Sequence, residues 1–387
     1  MLKYLHMIII APDKFKGSMT AVEAATCIAR GIKAVFPLAD LTLLPLSDGG
    51  EGLVESLVEA AAGSTETVMV TDPLGRSVEA RWGIINNGKT AVIEMASASG
   101  LTLIPEELRN PAITTTYGTG ELIKAALDRK CSELIIGIGG SATNDGGTGM
   151  ARALGVQFLD KSGQHLKPGG AELIRLDRID MAGIDSRLKG KDIKVACDVS
   201  NPLTGPQGAS HTYGPQKGAT PDMVKRLEQA LINFARIAER DLGLSIDSIP
   251  GAGAAGGLGA GLIAFLEAKL HSGINLVLDT LEIDKLLPDC TLLITGEGRL
   301  DSQSVYGKVP VGAARRAKSY DVPVLALAGS LDDSLDLFRR EGITASFAIA
   351  DGPLSLEESI ARSRQLLEAK TAELMHLCKH FRAPLSG

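Results

Sequence analysis

The sequence predicts an α/β protein in which a Rossmann-like doubly wound domain is interrupted by a second, mixed α/β domain. Three observations carry that reading. Strands alternate with helices at the start of the chain, the same alternation returns after Pro288, and the stretch between them opens with hairpins instead of crossovers. At 387 residues the chain exceeds what one hydrophobic core usually serves, which favours two domains. The boundaries that follow are 1–64 plus 287–387 for the doubly wound domain and 65–286 for the insertion. A simple division into two halves is the alternative, because one strand style can recur in separate domains. Either arrangement leaves a cleft between domains, a common location for ligands.

Met7 to Ala11 form a compact apolar strand. Thr20 and Glu23 make a capping box before a helix whose apolar positions Val22, Ala25, Ile28, Ile32 and Val35 keep the helical period, and Pro37 follows it. A second strand, Leu41 to Leu46, meets the loop SDGGEG (47–52) and a helix closed by Gly63. Extended segments then follow at Thr67–Thr71, Val78–Ile85 and Thr90–Met95, joined by the turn signals DPLG (72–75) and NNG (86–88). After Pro288 come strand Thr291–Thr295, helix Val309–Ser319, strand Val322–Ala328, helix Leu331–Arg340, strand Ala345–Ala350 and a long helix from Leu356.

Composition narrows the function. Hydrophobic residues make up 44% but aromatics only 4%, and there are 44 glycines, so packing relies on aliphatic side chains and the loops are tight. A net charge of −6, with no basic run interleaved with aromatics, argues against a nucleic-acid partner. The five cysteines are scattered without C-x-x-C spacing and read as buried thiols in a reducing compartment; the six histidines show no metal spacing. The apolar run Met7–Ile10 is too short for a secretory leader, and Gly251–Leu266 is too short and glycine-rich to span a membrane. The expectation is a cytoplasmic protein with no membrane partner.

A literal P-loop pattern, GIINNGKT (83–90), has the wrong context, since Thr90 enters an extended segment where a phosphate cradle needs a helix. GAGAAGG (251–257), with Gly253 and Gly256, runs into a helix expected over Leu258–Leu270; it exposes backbone donors for an anion, or else serves close helix packing. The strongest constellation is ELIIGIGGSATNDGGTGMARALG (133–155), where a buried strand enters glycines and small hydroxyls before a helix near Gly147. Backbone N–H groups of Gly139, Gly140, Ser141 and Gly146 can cradle phosphate there, with Ser141, Thr143, Asn144 and Asp145 supplying side-chain polarity. Three further loops concentrate charge at strand ends: APDKFKGS (11–18), LSDGGEG (46–52) and TGEGRLDSQSVYGK (295–308). Lys14, Lys16 and Lys308 are candidate cations, and Asp13, Asp48, Glu297 and Asp301 candidate metal or base groups. Asp198 and Asn201 follow the strand in VACDVSNPL, and Lys217 sits between glycines in YGPQKG.

Taken together, IIIAPDKFKGS, SDGGEG, IEMASASGL, TTTYGTGELI, IGIGGSATNDGGTGM, VACDVSNPLTGPQGAS, YGPQKGA, PGAGAAGGLGAGL and ITGEGRLDSQSVYGKVP resemble the bacterial glycerate kinase family, in order and over nearly the whole chain. The resemblance implies ATP-dependent phosphorylation of D-glycerate at the 2-hydroxyl, with Mg²⁺; a 3-phosphoglycerate-forming kinase is the alternative. Lys14 stands where many members have Ser, and residues 1–6 precede the usual start, so Lys16 is preferred over Lys14 as the cation.

Phosphoryl transfer needs a backbone cradle, cations, metal-holding carboxylates and a base. The expected nucleotide site is Gly139, Gly140, Ser141, Thr143, Asn144, Gly253, Gly256 and Lys217; the acceptor site is Asp13, Ser47, Glu297 and Asp301. Asp48, Asp198 and Glu297 are the expected Mg²⁺ ligands, Asp198 also the base, and Lys16 and Lys308 the neutralising cations. Closure about an interdomain hinge would exclude water. A homodimer is left open. Two rivals stand beside this reading: an NAD(P)-dependent hydroxy-acid dehydrogenase using GAGAAGG as its fingerprint, and a non-catalytic sugar-acid sensor.

Overall fold

The computed structural model describes residues 7–305 and 307–380. Its strands, in chain order, are β1 (Met7–Ile10), β2 (Leu41–Leu43), β3 (Ser64–Thr71), β4 (Ser77–Ile85), β5 (Thr90–Glu94), β6 (Glu133–Gly137), β7 (Gln157–Leu159), β8 (Arg178–Asp180), β9 (Asp192–Ala196), β10 (Lys269–His271), β11 (Cys290–Leu300), β12 (Val324–Leu331) and β13 (Ala345–Ala348). The chain divides into two compact units. The first comprises Met1–Asp48, Glu55–Ala62 and Ile274–Gly387, the second Gly49–Val54 and Gly63–Gly273.

The first unit is built on a wholly parallel sheet in the order β13-β12-β11-β1-β2, which in chain order within the unit is 2-1-3-4-5. That order reverses between β1 and β11, and the carboxyl ends flanking such a reversal are where doubly wound sheets hold ligands. Ile8, Ile9 and Ile10 of β1 are all fully buried, as expected for a strand covered on both faces. The capping box forms as its residues dictate: Thr20 Oγ1 accepts from the Glu23 N–H at 3.2 Å, and Glu23 Oε2 accepts from the Thr20 N–H at 2.9 Å. The helix it opens, Ala21–Val35, packs on the long helix Leu356–His380. Gly31 permits the approach, because a Cβ there would lie 2.5 Å from the Glu368 carbonyl oxygen.

Two boundaries differ from expectation for one reason. β11 does not stop at Thr295 but runs to Leu300, since its glycines allow neighbouring backbone to press close; a Cβ on Gly296 would sit 2.2 Å from the Leu327 oxygen. β12 stays paired with it to Leu331, so the helix expected from Leu331 begins at Leu335. Glu297 is thereby a strand residue, fixed by ladder hydrogen bonds, and not part of a loop.

The second unit carries a mixed sheet in the order β10-β9-β6-β5-β4-β3. Its first four strands are parallel, while β3, β4 and β5 form an antiparallel meander. The P-loop look-alike lies in the β4–β5 hairpin, where Asn86, Asn87 and Gly88 all take positive φ (54°, 55° and 85°); no helix follows it. The helix expected over Leu258–Leu270 spans Ala254–Leu266 instead. Its first turn is broken by left-handed backbone at Ala255, Gly256 and Gly257, and Glu267, also left-handed, ends it, which frees Lys269–His271 to pair as β10 beside β9. A core of Ile93, Ile136, Val195, Phe234, Leu258 and Phe265 packs this unit.

Candidate functional site

In the first unit the carboxyl ends of β1 and β11 bring acidic side chains together. β1 leads through Ala11 and Pro12 to Asp13, whose N–H donates to the Gly296 carbonyl of β11 (2.8 Å), so the position is set by the sheet itself. Asp13 is 8% exposed, and its Oδ1 accepts the Lys14 N–H at 2.7 Å. Burial pushes its carboxyl up to about 7, the negative charge of Asp48 adds to this, and Glu297 adds a smaller push; the Lys14 N–H and ammonium pull the other way. Ser47, beside Asp48, is buried at the end of the segment that follows β2.

Glu297 is buried too, and that burial raises its carboxyl above the ordinary range against the pull of Lys308 and Ser304. The Ser304 hydroxyl donates to Glu297 Oε1 at 2.8 Å. Lys308 Nζ lies 3.5 Å from Glu297 Oε2 and 3.6 Å from Asp301 Oδ1, and donates to the Arg299 carbonyl at 3.2 Å. Arg299 closes the group through Asp301 Oδ2 at 3.1 Å. Of the residues expected at the acceptor and metal sites and as neutralising cations, Asp13, Asp48, Glu297, Asp301 and Lys308 thus form one interacting set, whereas Lys16 is an exposed side chain next to it in sequence. Ser304 was not anticipated; its serine-rich setting in DSQSV gives no signal that distinguishes it from a surface hydroxyl.

In the second unit, the carboxyl ends of β5, β6, β9 and β10 share one edge of the sheet. The loop after β6 passes through Gly139 and Gly140, both exposed, with Gly140 left-handed at φ 73°. Ser141 bridges to Gly100, and Thr143, Asn144 and Asp145 are fully buried or nearly so. Gly147, at φ 74°, starts the short helix Thr148–Ala153. The glycines of SDGGEG lie over the same strand ends: a Cβ on Gly137 would be 2.4 Å from the Gly49 oxygen, and one on Gly139 3.1 Å from Gly50 Cα. Glu94 at the end of β5 accepts the Val54 N–H at 2.8 Å, an anchoring role the sequence did not disclose.

Four expected ligand residues have other occupations. Gly253 and Gly256 face backbone: their Cβ atoms would lie 2.1 Å from the Pro202 oxygen and 1.9 Å from the Thr143 oxygen, so these glycines serve close packing and present no open cradle. Lys217 is 1% exposed and donates to the Thr143 carbonyl at 2.6 Å, which withholds it from solvent and any ligand in solution. Asp198 falls in this unit, whereas Asp48 and Glu297 fall in the first; it is exposed after β9, and its Oδ1 accepts the Gly273 N–H at the start of the helix Gly273–Thr280. Asn201, in the same loop, bonds the Gln207 carbonyl and the Tyr213 hydroxyl.

Among the described residues no three His, Cys, Asp or Glu side chains close on a point as a protein-only metal cage. Mg²⁺ does not require one, since it keeps several waters and takes one or two carboxylates plus substrate phosphates. Burial chiefly raises Asp13, Asp48 and Glu297 add negative charge beside it, and a hard cation held by one or two of these carboxylates would relieve that charge. No helix of the described residues is long and apolar enough to cross a membrane.

Residues 8–379 match the family described as the glycerate kinase family. A glycerate kinase of Bacillus subtilis (strain 168) is 53% identical over 367 residues, covering 95% of this chain and 96% of that protein. A glycerate 2-kinase of Escherichia coli (strain K12) is 49% identical over 352 residues, covering 91% and 92%. The crystal structure of a candidate glycerate kinase 2 from Salmonella typhimurium LT2 superposes with a TM-score of 0.89 at 45% identity, covering 98% of this chain and all of that one.

Proposed function

The chain belongs to the glycerate kinase family, and from that premise we propose that it transfers the γ-phosphoryl group of ATP to the 2-hydroxyl of D-glycerate with Mg²⁺ as the companion ion. The observation that carries the reading is the carboxylate set of Asp13, Asp48 and Glu297 at the order reversal of the first unit's sheet. The likeness to a relative named for the 2-position supports that choice of hydroxyl.

Asp13 is the base. A carboxyl poised near neutrality accepts a hydroxyl proton more readily than an ordinary aspartate, and it is held by the Gly296 bond to its backbone. The glycerate hydroxyl oxygen bonds to phosphorus as its proton passes to Asp13, and the bond from phosphorus to the β,γ-bridging oxygen breaks to leave ADP. Asp48 and Glu297 would hold Mg²⁺, which supplies charge neutralisation on the phosphates. Lys308, positioned by Glu297, Asp301 and the Arg299 carbonyl, offsets developing negative charge, and the exposed Lys16 attracts anionic reactants. Asp198, engaged at a helix start, is a positioning group in this scheme. In the second unit the exposed turn at Gly139 and Gly140 offers its N–H groups to nucleotide phosphates. We read the two units as discontinuous domains of this kind, the doubly wound one interrupted by the mixed one.

The reaction is tested with purified protein, D-glycerate, ATP and Mg²⁺, following ADP release and the ³¹P spectrum of the product. A phosphorus signal split by one proton identifies 2-phosphoglycerate; splitting by two protons overturns the 2-position, and absence of ADP release overturns the kinase. A change in NAD(P)H absorbance instead would favour the dehydrogenase.

The loop assignment has its own test. Gly140 is left-handed and exposed, and a Cβ there meets only the Ala96 methyl at 3.4 Å, so Asp and Asn, which tolerate this backbone best, both fit. Two like charges about 6 Å apart repel by roughly 1.5–3 kcal/mol at an effective dielectric of about 20–40. Gly140→Asp is therefore expected to raise the KM for ATP about tenfold or more over Gly140→Asn, in steady-state kinetics at fixed glycerate; equal values for the pair remove the loop from the nucleotide site.

A further inference from the structure

Lys217 lies between a glutamine and a glycine in YGPQKG, a setting that reads as an accessible cation, yet its side chain is among the largest fully buried ones. It rises from the turn Pro215–Lys217 after the short helix Ala209–Tyr213. That turn cannot swing outward easily: Gly218, at φ 91°, is pressed against Arg109, whose carbonyl oxygen would be 2.5 Å from an added Cβ. Lys217 Nζ reaches the Thr143 carbonyl, in the loop after β6.

The two residues that follow Thr143 are gripped as well, from different elements. Asn144 Nδ2 donates to Ser210 Oγ at 3.1 Å. The Asp145 carboxylate accepts the Thr116 N–H and hydroxyl (both 2.9 Å) and the N–H groups of Gly147 and Gly149 (both 3.2 Å). Three successive residues on the inner side of the loop are thus fixed, while Gly139 and Gly140 on its outer side face solvent. Burial drives the Lys217 ammonium down to about 7, with Asp145 opposing, so this is an unfavourable place for a charge that packing alone does not require. A methionine would fill similar volume with no such penalty.

We propose that Lys217 is a positioning residue for the nucleotide site: by holding the Thr143 carbonyl it sets the peptide planes of the Gly139–Thr143 turn in the orientation that grips phosphate, without itself touching the nucleotide. The inference rests on the reading of that turn as the ATP site. It also accounts for a lysine in this motif where ordinary packing would favour an apolar side chain.

Lys217→Met and Lys217→Gln are compared with wild type for the KM of ATP, the KM of glycerate and thermal unfolding, with Gly140→Asp and Gly140→Asn run alongside. The expected result is an ATP KM raised about tenfold in Lys217→Met, as misplacement of a binding group produces. The glycerate KM should stay within about twofold, while Tm falls by no more than a few degrees as the buried Thr143 carbonyl loses its donor, with Lys217→Gln intermediate because its amide can still donate. An ATP KM within about twofold of wild type in either folded variant overturns the proposal, as does a parallel rise in both KM values with loss of Tm. If the Gly140 pair separates as expected while the Lys217 variants do not, only the role of Lys217 falls; if the Gly140 pair shows no difference, the ATP assignment of the loop falls and this inference with it.

Discussion

Asp13→Asn is expected to lower kcat by about 10²–10³-fold while making the ligand-free protein more stable at pH 8. Both effects follow from one carboxyl. Asparagine keeps the shape and can still face the Lys14 N–H, but it cannot take up a proton from the acceptor hydroxyl. The stability effect follows from linkage. In the folded chain the Asp13 carboxyl is raised from an ordinary 3.8 to about 7, chiefly by burial. Between those values the unfolded chain has lost the proton that the folded chain retains, so the folded state binds more protons and stability falls as pH rises from about 4 to about 7. Asparagine removes that slope. Turnover in a coupled ADP assay, and Tm at pH 5 and pH 8 in the presence of a chelator, measure the two halves separately. Turnover within a few-fold of wild type excludes Asp13 as the base, and an unchanged pH slope excludes it as the buried titrating group.

Gly256→Ala is expected to cost more than about 3 kcal/mol of stability, enough to lower Tm by roughly 10 °C or to leave little folded protein. At φ 70° an L-residue is already strained, and its Cβ would overlap the Thr143 carbonyl oxygen at 1.9 Å and Asn144 Cα at 2.7 Å, with backbone as the obstacle in both cases. The Gly256 carbonyl also accepts the Gly146 N–H at 3.0 Å, so a shift to relieve the overlap breaks that bond. Gly243→Ala is the control. It has nearly the same φ, 68°, but nothing within 4 Å of the added carbon, so it should lose only about 1 kcal/mol. Thermal unfolding of the two variants isolates the overlap from the backbone strain; similar losses in both would show that Gly256 is not a packing residue.

How far the sequence discloses this protein depends on the range of the interactions involved. The Thr20–Glu23 capping box and the Asn86–Asn87–Gly88 turn were readable because every participating atom lies within a few residues. Strand ends placed Asp13 and Glu297 among the candidates, since the chain direction alone puts such residues at the ligand edge of a parallel sheet. The burial of Lys217 was not readable, because it depends on Thr143, which is 74 positions away. Asp145 likewise draws its donors from Thr116, 29 positions upstream. GAGAAGG illustrates the same limit from the other side: its glycines are required by the approach of Gly146 and Thr143, a reason that leaves the local pattern identical to that of a phosphate-binding turn.

The pairing of β1 with β11 joins Met7 to Cys290 in sequence terms, and that separation shapes how the protein is made. At about 5–20 residues per second, ribosomal synthesis leaves the first strand without its central neighbour for roughly 15–60 s. During that interval Met7–Ile10, apolar on both faces, has only β2 as a sheet partner, while the strands of the second unit emerge and can already assemble. Met7–Ile10 is thus translated well before its sheet is completed, and the nascent chain carries an unfinished, aggregation-prone edge until Cys290–Leu300 is made. Chaperone demand should therefore begin when Met7–Ile10 appears and persist until residues 290–331 have been translated.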